Sequence, residues 1–317
     1  VRTLLEGLLN QTMPPSEIVF TDGGSTDATV EIIEEFIERG APVKLIRERA
    51  SLPGRSRNIA VRHSRCDWIA FIDAGIRPAT DWLASLAEPI GDGSTVDVVY
   101  GSYEPVIDSF FKECAAIAYV PPPYQSDGGL VRPRSIVSAL MRRKVWEDVG
   151  GFPENLRSAE DLLFMRRVEQ ANFKIERTSG AIVYWDIQPD FGRTFKRFVV
   201  YSRNNIRAGL FAEWQAAIFI YYALLAAAAL TAFFLGPRAF FIPLVLWLLL
   251  LTARATKALR RNRRNYPAGS VRNLRRLSLL VPIIATLDAA AFAGSISWLV
   301  RDKLRLTGSR GDDDARE

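Results

Sequence analysis

Between Gln215 and Leu235 the chain carries no charged residue. A helix over that stretch rises about 31 Å, the thickness of a bilayer's hydrocarbon core, so the segment has few places to fold other than inside a membrane. Two more apolar runs follow. Ala239 to Ala253 begins after only Gly236-Pro237-Arg238, and Leu277 to Val300 holds a single ionisable residue, Asp288. A charge in mid-span is costly against lipid and faces protein or water. Asp288 therefore either touches a polar head group or packs helix against helix. With 49% hydrophobic and 24% charged residues, the chain is neither a disordered nor a collagen-like polymer, and the runs argue against a wholly soluble protein.

The net charge of +6 invites a nucleic-acid reading until the charges are located. From Trp214 onward there are 15 basic and 6 acidic residues, so the excess lies wholly in the apolar third of the chain. Nine basic residues fall between Arg254 and Arg276 with no acid among them (Arg254, Lys257, Arg260, Arg261, Arg263, Arg264, Arg272, Arg275 and Arg276). A basic block between two apolar runs is the pattern of a cytoplasmic loop. It also suits anionic lipid head groups, which attract each such residue by about 1 kcal/mol. The basicity reads as a membrane signature, with no nucleic-acid partner. Cys66 and Cys114 fit no metal or redox spacing and are expected as reduced thiols. The lone histidine, His63, cannot build a histidine-rich metal site or a Ser-His-Asp triad.

Residues 1 to about 190 alternate strand and helix signals. Glu17–Thr21 is β-rich and runs into the turn cluster Asp22-Gly-Gly-Ser-Thr-Asp27, followed by a helix with Val30, Ile33 and Ile37 on its apolar face. Val43–Arg47 reads as a strand, 58–64 as a helix, and Trp68–Ile72 as a strand buried on both faces of a parallel sheet. Trp82–Ala87 is helical and Asp97–Tyr100 a strand. The rhythm predicts an α/β fold with a mostly parallel sheet and helices on both faces. In such sheets ligands bind beyond the C-terminal strand ends, where Asp22 and Asp73 both fall. The chain opens on an amphipathic helix (Leu4, Leu5, Leu8, Leu9). A doubly wound domain begins with a strand, so the domain is expected to lack its first one, with the reading frame continuing upstream.

Four short motifs occur in order: Asp22-Gly-Gly-Ser-Thr-Asp27, Gly54-Arg-Ser-Arg-Asn58, Phe71-Ile-Asp73, and Gly150-Gly-Phe-Pro-Glu154 followed by Glu160-Asp161. In that order and spacing, residues 1 to about 200 resemble the family-2 inverting glycosyltransferases of the GT-A fold. The resemblance implies a Rossmann-like sheet, a nucleotide-sugar donor (a UDP- or GDP-sugar), usually a divalent metal (Mg or Mn), and transfer with inversion. The apolar runs suit members that glycosylate lipid-linked acceptors at the inner membrane, in cell-envelope polysaccharide or glycolipid synthesis. A polyprenyl-phosphate sugar synthase and a non-catalytic nucleotide-sugar-binding membrane protein are the alternatives.

Each candidate residue also has a plainer reading. Asp22 can accept bonds from a uracil N–H and a ribose hydroxyl, or simply form its turn. Arg55 and Arg57 have the planar forks that suit diphosphate oxygens, or stand on a solvated helix face. Asn58 can anchor the adjacent loop. Asp73 matches the first acid of the family's Asp-X-Asp metal motif, but Gly75 stands at the third position, and a hard cation short of a carboxylate is poorly held. The resemblance makes Asp161 the general base that deprotonates the acceptor hydroxyl. A carboxylate in a helix's first turn is otherwise explained by the macrodipole. Glu160 is expected to orient the acceptor or to fix its loop, and Arg193 and Arg197 to hold the acceptor or the diphosphate or to snorkel at the lipid interface. The expected organisation is a catalytic domain over 1–200, a juxtamembrane segment over 201–213, and a membrane domain of two to three helices over 214–300 with a basic cytoplasmic loop at 254–276. A polar tail over 301–317 completes it.

Overall fold

The computed structural model describes residues 1–91 and 93–304; of the polar tail expected over 301–317, residues 305–317 lie outside the described residues. In chain order the elements are α1 (Arg2–Leu9), β1 (Ile18–Asp22), α2 (Thr29–Glu38), β2 (Val43–Arg47), α3 (Pro53–His63), β3 (Trp68–Phe71), β4 (Ile76–Pro78), α4 (Trp82–Ala87) and β5 (Val98–Val106). There follow α5 (Phe110–Tyr119), β6 (Tyr124–Ser126), β7 (Gly129–Val131), β8 (Ala139–Arg142), α6 (Arg143–Asp148), α7 (Glu160–Gln170) and β9 (Ile175–Asp186). The chain ends on helices: α8 (Phe191–Arg207), α9 (Phe211–Trp214), α10 (Ala216–Leu235), α11 (Phe241–Arg261) and α12 (Ser270–Trp298). Contacts divide the chain into two units. The first is Val1–Val106 with Pro123–Asp186; the second is Ile107–Pro122 with the described residues from Ile187 onward.

In the first unit β1 and β2 pair in parallel, from Ile18 opposite Val43 to Asp22 opposite Arg47. Five strands form the main sheet in the order β3-β8-β5-β9-β4, and only its β5–β9 pair is parallel. The α/β class with helices on both faces holds, but the mostly parallel sheet is corrected to a mixed one. β8 runs antiparallel to both of its neighbours, β3 and β5, and β4 antiparallel to β9. Residues 72–75 alone join the two edge strands β3 and β4. In a flat sheet those edges would lie about 19 Å apart, beyond the reach of so short a link, so the sheet curls. Trp68–Phe71 is likewise an antiparallel edge strand, half-buried rather than enclosed on both faces.

Strand residues alternate between two cores. Val98, Tyr100, Ala139 and Met141 pack with Val145 of α6 and Phe164, Met165 and Val168 of α7. Val99, Leu140, Ala181 and Val183 pack with Leu4 and Leu8 of α1 and Trp82, Leu83 and Leu86 of α4. This period of two puts a helical layer on each face.

The second unit takes Ile107–Pro122 out of the expected catalytic domain and resumes at Ile187, before the expected boundary at residue 200. Cys114 and Ile117 of α5 share a core with Leu251, Ala255 and Ala258 of α11 and Leu280, Ile283 and Ile284 of α12. Glu113 of α5 receives hydrogen bonds from Arg272 (2.5 Å) and Arg276. Helix α8 lies so close to α12 that a Cβ on Gly294 would stand 2.6 Å from the Val199 carbonyl oxygen and from Cβ of Ser202. The Ser202 hydroxyl donates to the Ala291 carbonyl at 2.9 Å. Among the described residues three helices are long and apolar enough to cross a membrane, Ala216–Leu235, Arg238–Arg261 and Ser270–Lys303. The basic stretch 254–276 is accordingly not one loop: Arg254–Arg261 end α11, and Arg272, Arg275 and Arg276 open α12.

Candidate active site

Helix α3 builds the site. Its positions 54, 57, 58 and 61 recur at i, i+3, i+4 and i+7 and so face one way. Gly54 lies against the turn after Gly150-Gly151, where an added Cβ would stand 2.0 Å from the Pro153 carbonyl oxygen. Asn58, 2% exposed, uses its whole amide. It donates to the Phe152 carbonyl (2.9 Å) and the Glu154 carboxylate (2.8 Å), and accepts from Trp146 Nε1 (2.9 Å) and the Phe152 N–H (2.8 Å). Phe152 stacks on Phe164 of α7 at 3.9 Å and meets Phe71 of β3 edge-on at 5.4 Å. The turn, the strand end and the start of α7 are thus fixed on one helix face. Gly54→Ala is expected to force the turn off that face and cost about 1–3 kcal/mol, read as a lowered unfolding midpoint. An unchanged midpoint would show that the turn yields freely.

From this face Arg57 reaches two carboxylates, donating to Asp73 at 2.7 Å and Glu160 at 2.6 Å. Its side chain is 16% exposed and that of Glu160 5%. Burial disfavours the guanidinium charge, but Asp73 and Glu160 beside it more than offset this, so Arg57 stays a cation. Ala159 precedes the acidic pair in a left-handed conformation (φ +71°), a strained backbone that turns Glu160 and Asp161 in at the head of α7. Asp161 is not the helix cap, since Ala159 holds that position; its Oδ1 accepts the Leu162 N–H at 2.8 Å. Burial pushes its carboxyl above the usual carboxylate range, opposed by the nearby Arg57 charge. The Glu160 carboxyl is raised by burial in the same way, and its Oε2 is enclosed without a hydrogen-bond partner.

Of the residues singled out from the sequence, Arg57, Asp73, Glu160 and Asp161 come together. Glu160, expected to orient the acceptor or fix its loop, has its carboxylate turned to Arg57. Asp22 accepts N–H groups of Gly24 (3.1 Å) and Ser25 (3.0 Å) in its own turn. Burial pulls its carboxyl up, but the bonds from Ser25 and Gly24 outweigh this and hold it below the ordinary range. Arg55 points elsewhere, to Glu48 (2.5 Å) and Glu154 (3.4 Å). Arg193 and Arg197 stand on α8 in the second unit, Arg193 beside Asp190 and Arg197 donating to the Tyr201 hydroxyl at 3.0 Å. The sequence reading passed over Trp146 and named Glu154 only as the end of its motif; both complete the Asn58 clamp. A glycine directly after Pro53 at a helix start was the available signal for close packing there.

The donor set does not fit a cation held by protein carboxylates. Gly75 contributes no ligand, Asp73 is engaged by Arg57, and among the described residues no three His, Cys, Asp or Glu side chains gather to hold a metal.

Residues 1–150 match the sequence description of Glycosyl transferase family 2. The glycosyltransferase AglE of Haloferax volcanii is 27% identical over 213 residues, 65% of this chain and 69% of AglE. The putative glycosyltransferase EpsH of Bacillus subtilis is 34% identical over 103 residues, 32% of this chain and 29% of EpsH, so the chain spans under a third of that relative. Among solved structures, the mannosyltransferase PcManGT from Pyrobaculum calidifontis, in complex with GDP-Man and Mn2+, superposes with a TM-score of 0.52 at 20% identity, covering 94% of this chain and 83% of that one. That likeness is one of fold. Residues 1–150 thus match the description of glycosyltransferase family 2, and the chain shares the GT-A fold.

Proposed function

We propose that the protein transfers a sugar, with inversion, from a nucleoside-diphosphate donor to a membrane-associated, lipid-linked saccharide acceptor in cell-envelope synthesis. The observation that carries this reading is the meeting of Asp161 with Arg57 and Asp73 at the strand end, where an α/β sheet takes its ligands. Asp22 and Asp73 hold the nucleotide and Arg57 faces the diphosphate. Asp161 takes the proton of the acceptor hydroxyl as that oxygen attacks the anomeric carbon. The bond to the diphosphate breaks on the opposite face, and the nucleoside diphosphate leaves. Arg193, Lys196 and Arg197 on α8, with Lys257, Arg260, Arg261, Arg263, Arg264 and Arg275, meet anionic head groups, and the catalytic unit lies on the cytoplasmic side of the inner membrane. Radiolabelled nucleotide sugars supplied with extracted membrane lipid test this: label in a lipid-linked saccharide is expected, and label in none of the lipid fractions would reject the reading.

With one carboxylate of the Asp-X-Asp pair replaced by Gly75, divalent-metal dependence is expected to be weak, and chelation should lower turnover by less than about tenfold. Asp73→Ala should still abolish most activity. Unchanged turnover in that variant would remove Asp73 from the site.

A further inference from the structure

We infer that Arg254 and Asp288 enter the bilayer as one neutral unit, and that this pairing lengthens the apolar stretch of α11 towards the thickness of the hydrocarbon core. The inference is independent of the transfer chemistry and concerns the lipid hydrocarbon as partner. Asp288 is 0% exposed, so it meets no head group, and the packing reading of this residue prevails over the head-group one. Both its oxygens are taken by the Arg254 fork, at 2.5 and 2.8 Å. The Tyr222 hydroxyl donates to the same carboxylate at 3.2 Å and accepts from Trp247 Nε1 at 3.1 Å. The clasp therefore joins all three apolar helices, through Tyr222 of α10, Trp247 and Arg254 of α11, and Asp288 of α12.

Its depth follows from helix rise. Tyr222 stands six residues into α10, about 9 Å from that helix's start and about 20 Å from its end at Leu235. An arginine this near an interface normally snorkels outward; Arg254 instead turns inward to the acid. The effect on α11 is one of length. Counted to Ala253, its apolar stretch from Ala239 is about 22 Å, short of a hydrocarbon core of about 30 Å. With Arg254 neutralised, the stretch runs to Thr256, about 27 Å, and the next exposed side chain beyond Ala253 is Lys257. Among the described residues, Lys257, Arg260, Arg261, Arg263, Arg264 and Arg275 have no acidic partner, unlike Arg254 with Asp288 and Arg272 and Arg276 with Glu113. The nine basic residues thus divide into a bonded set and a set left for head groups.

The test uses full-length protein in cells, with Arg238→Cys between α10 and α11 or Asn265→Cys between α11 and α12, and a membrane-impermeant thiol reagent. Cysteine at 238 should label from outside and cysteine at 265 only after permeabilisation. Arg254→Leu and Asp288→Leu singly should each lower the outside-labelled fraction at 238 by about tenfold, since each strands a charge. The double variant Arg254→Leu/Asp288→Leu should recover to within about twofold, because no charge remains. Single variants that label like the parent would overturn the inference, as would a double variant no better than the worse single, which would mark the pair as a packing contact. Failure of the parent to label at 238 would overturn it as well. None of these outcomes bears on donor or acceptor chemistry.

Discussion

Asp161→Asn is expected to lower turnover by about 10²- to 10⁴-fold, the contribution of a positioned general base, while donor binding persists. The substitution keeps the size of the side chain and an oxygen for the Leu162 N–H, so the head of α7 survives. Asparagine cannot take the acceptor's proton. The pH profile adds a second readout. Burial raises the Asp161 carboxyl, and the base works only when ionised. The rate of the parent enzyme should therefore fall, as pH is lowered, while still above the ordinary carboxylate range. That acid limb should flatten in Asp161→Asn. Near-full turnover in the variant would place the base elsewhere, or show an acceptor that is already an ionised phosphate.

Arg57→Ala should be the most destabilising change at the site. It leaves the Glu160 carboxylate enclosed without its cation, with Asp73 and Asp161 nearby. Removing one partner of a buried ion pair costs about 3 kcal/mol or more, which lowers the thermal midpoint of a unit this size by about 10 °C. Arg57→Ala/Glu160→Gln should regain much of that loss, because the stranded charge disappears, yet donor affinity should stay low in both variants. If the single variant unfolds like the parent, the pair is solvated and the site is more open than its geometry indicates.

Much of this was readable from the chain. The strand-turn-helix unit around Asp22 stands where periodicity and turn residues place it, because local chemistry fixes it; the turn at Asp73 leads instead into the short strand β4, too brief to show a period. Arg57, Asp73 and Asp161 were legible through the order of short motifs. What escaped is set by long-range partners. The apolar face of α5 announces burial but not against what, and nothing near Cys114 points to Leu251 or Leu280. The antiparallel entry of β8 depends on which strands lie beside it. Glu160 read as a ligand-facing acid because its spacing is that of an exposed first turn, and only the fold brings Arg57 to it. Asp288 read as a lone mid-span charge and Arg254 as one of nine loop cations until the helices were paired.

Helix α5 also carries a consequence for the timing of biosynthesis. It is translated between β5 and β8, yet the helices that cover Cys114 and Ile117 begin about 120 residues later. At ordinary ribosomal speeds that is a wait on the order of ten seconds. During it a ten-residue apolar helix, with Lys112 and Glu113 that end up buried, lacks the two helices that cover Cys114 and Ile117. The sheet of the first unit is thus threaded through a segment whose packing partners are not yet made. Cys114 offers a built-in clock for that interval. In the finished fold its thiol is enclosed and pushed up to about 11 by burial, so its reactivity toward an alkylating reagent ends when the last helices close over it.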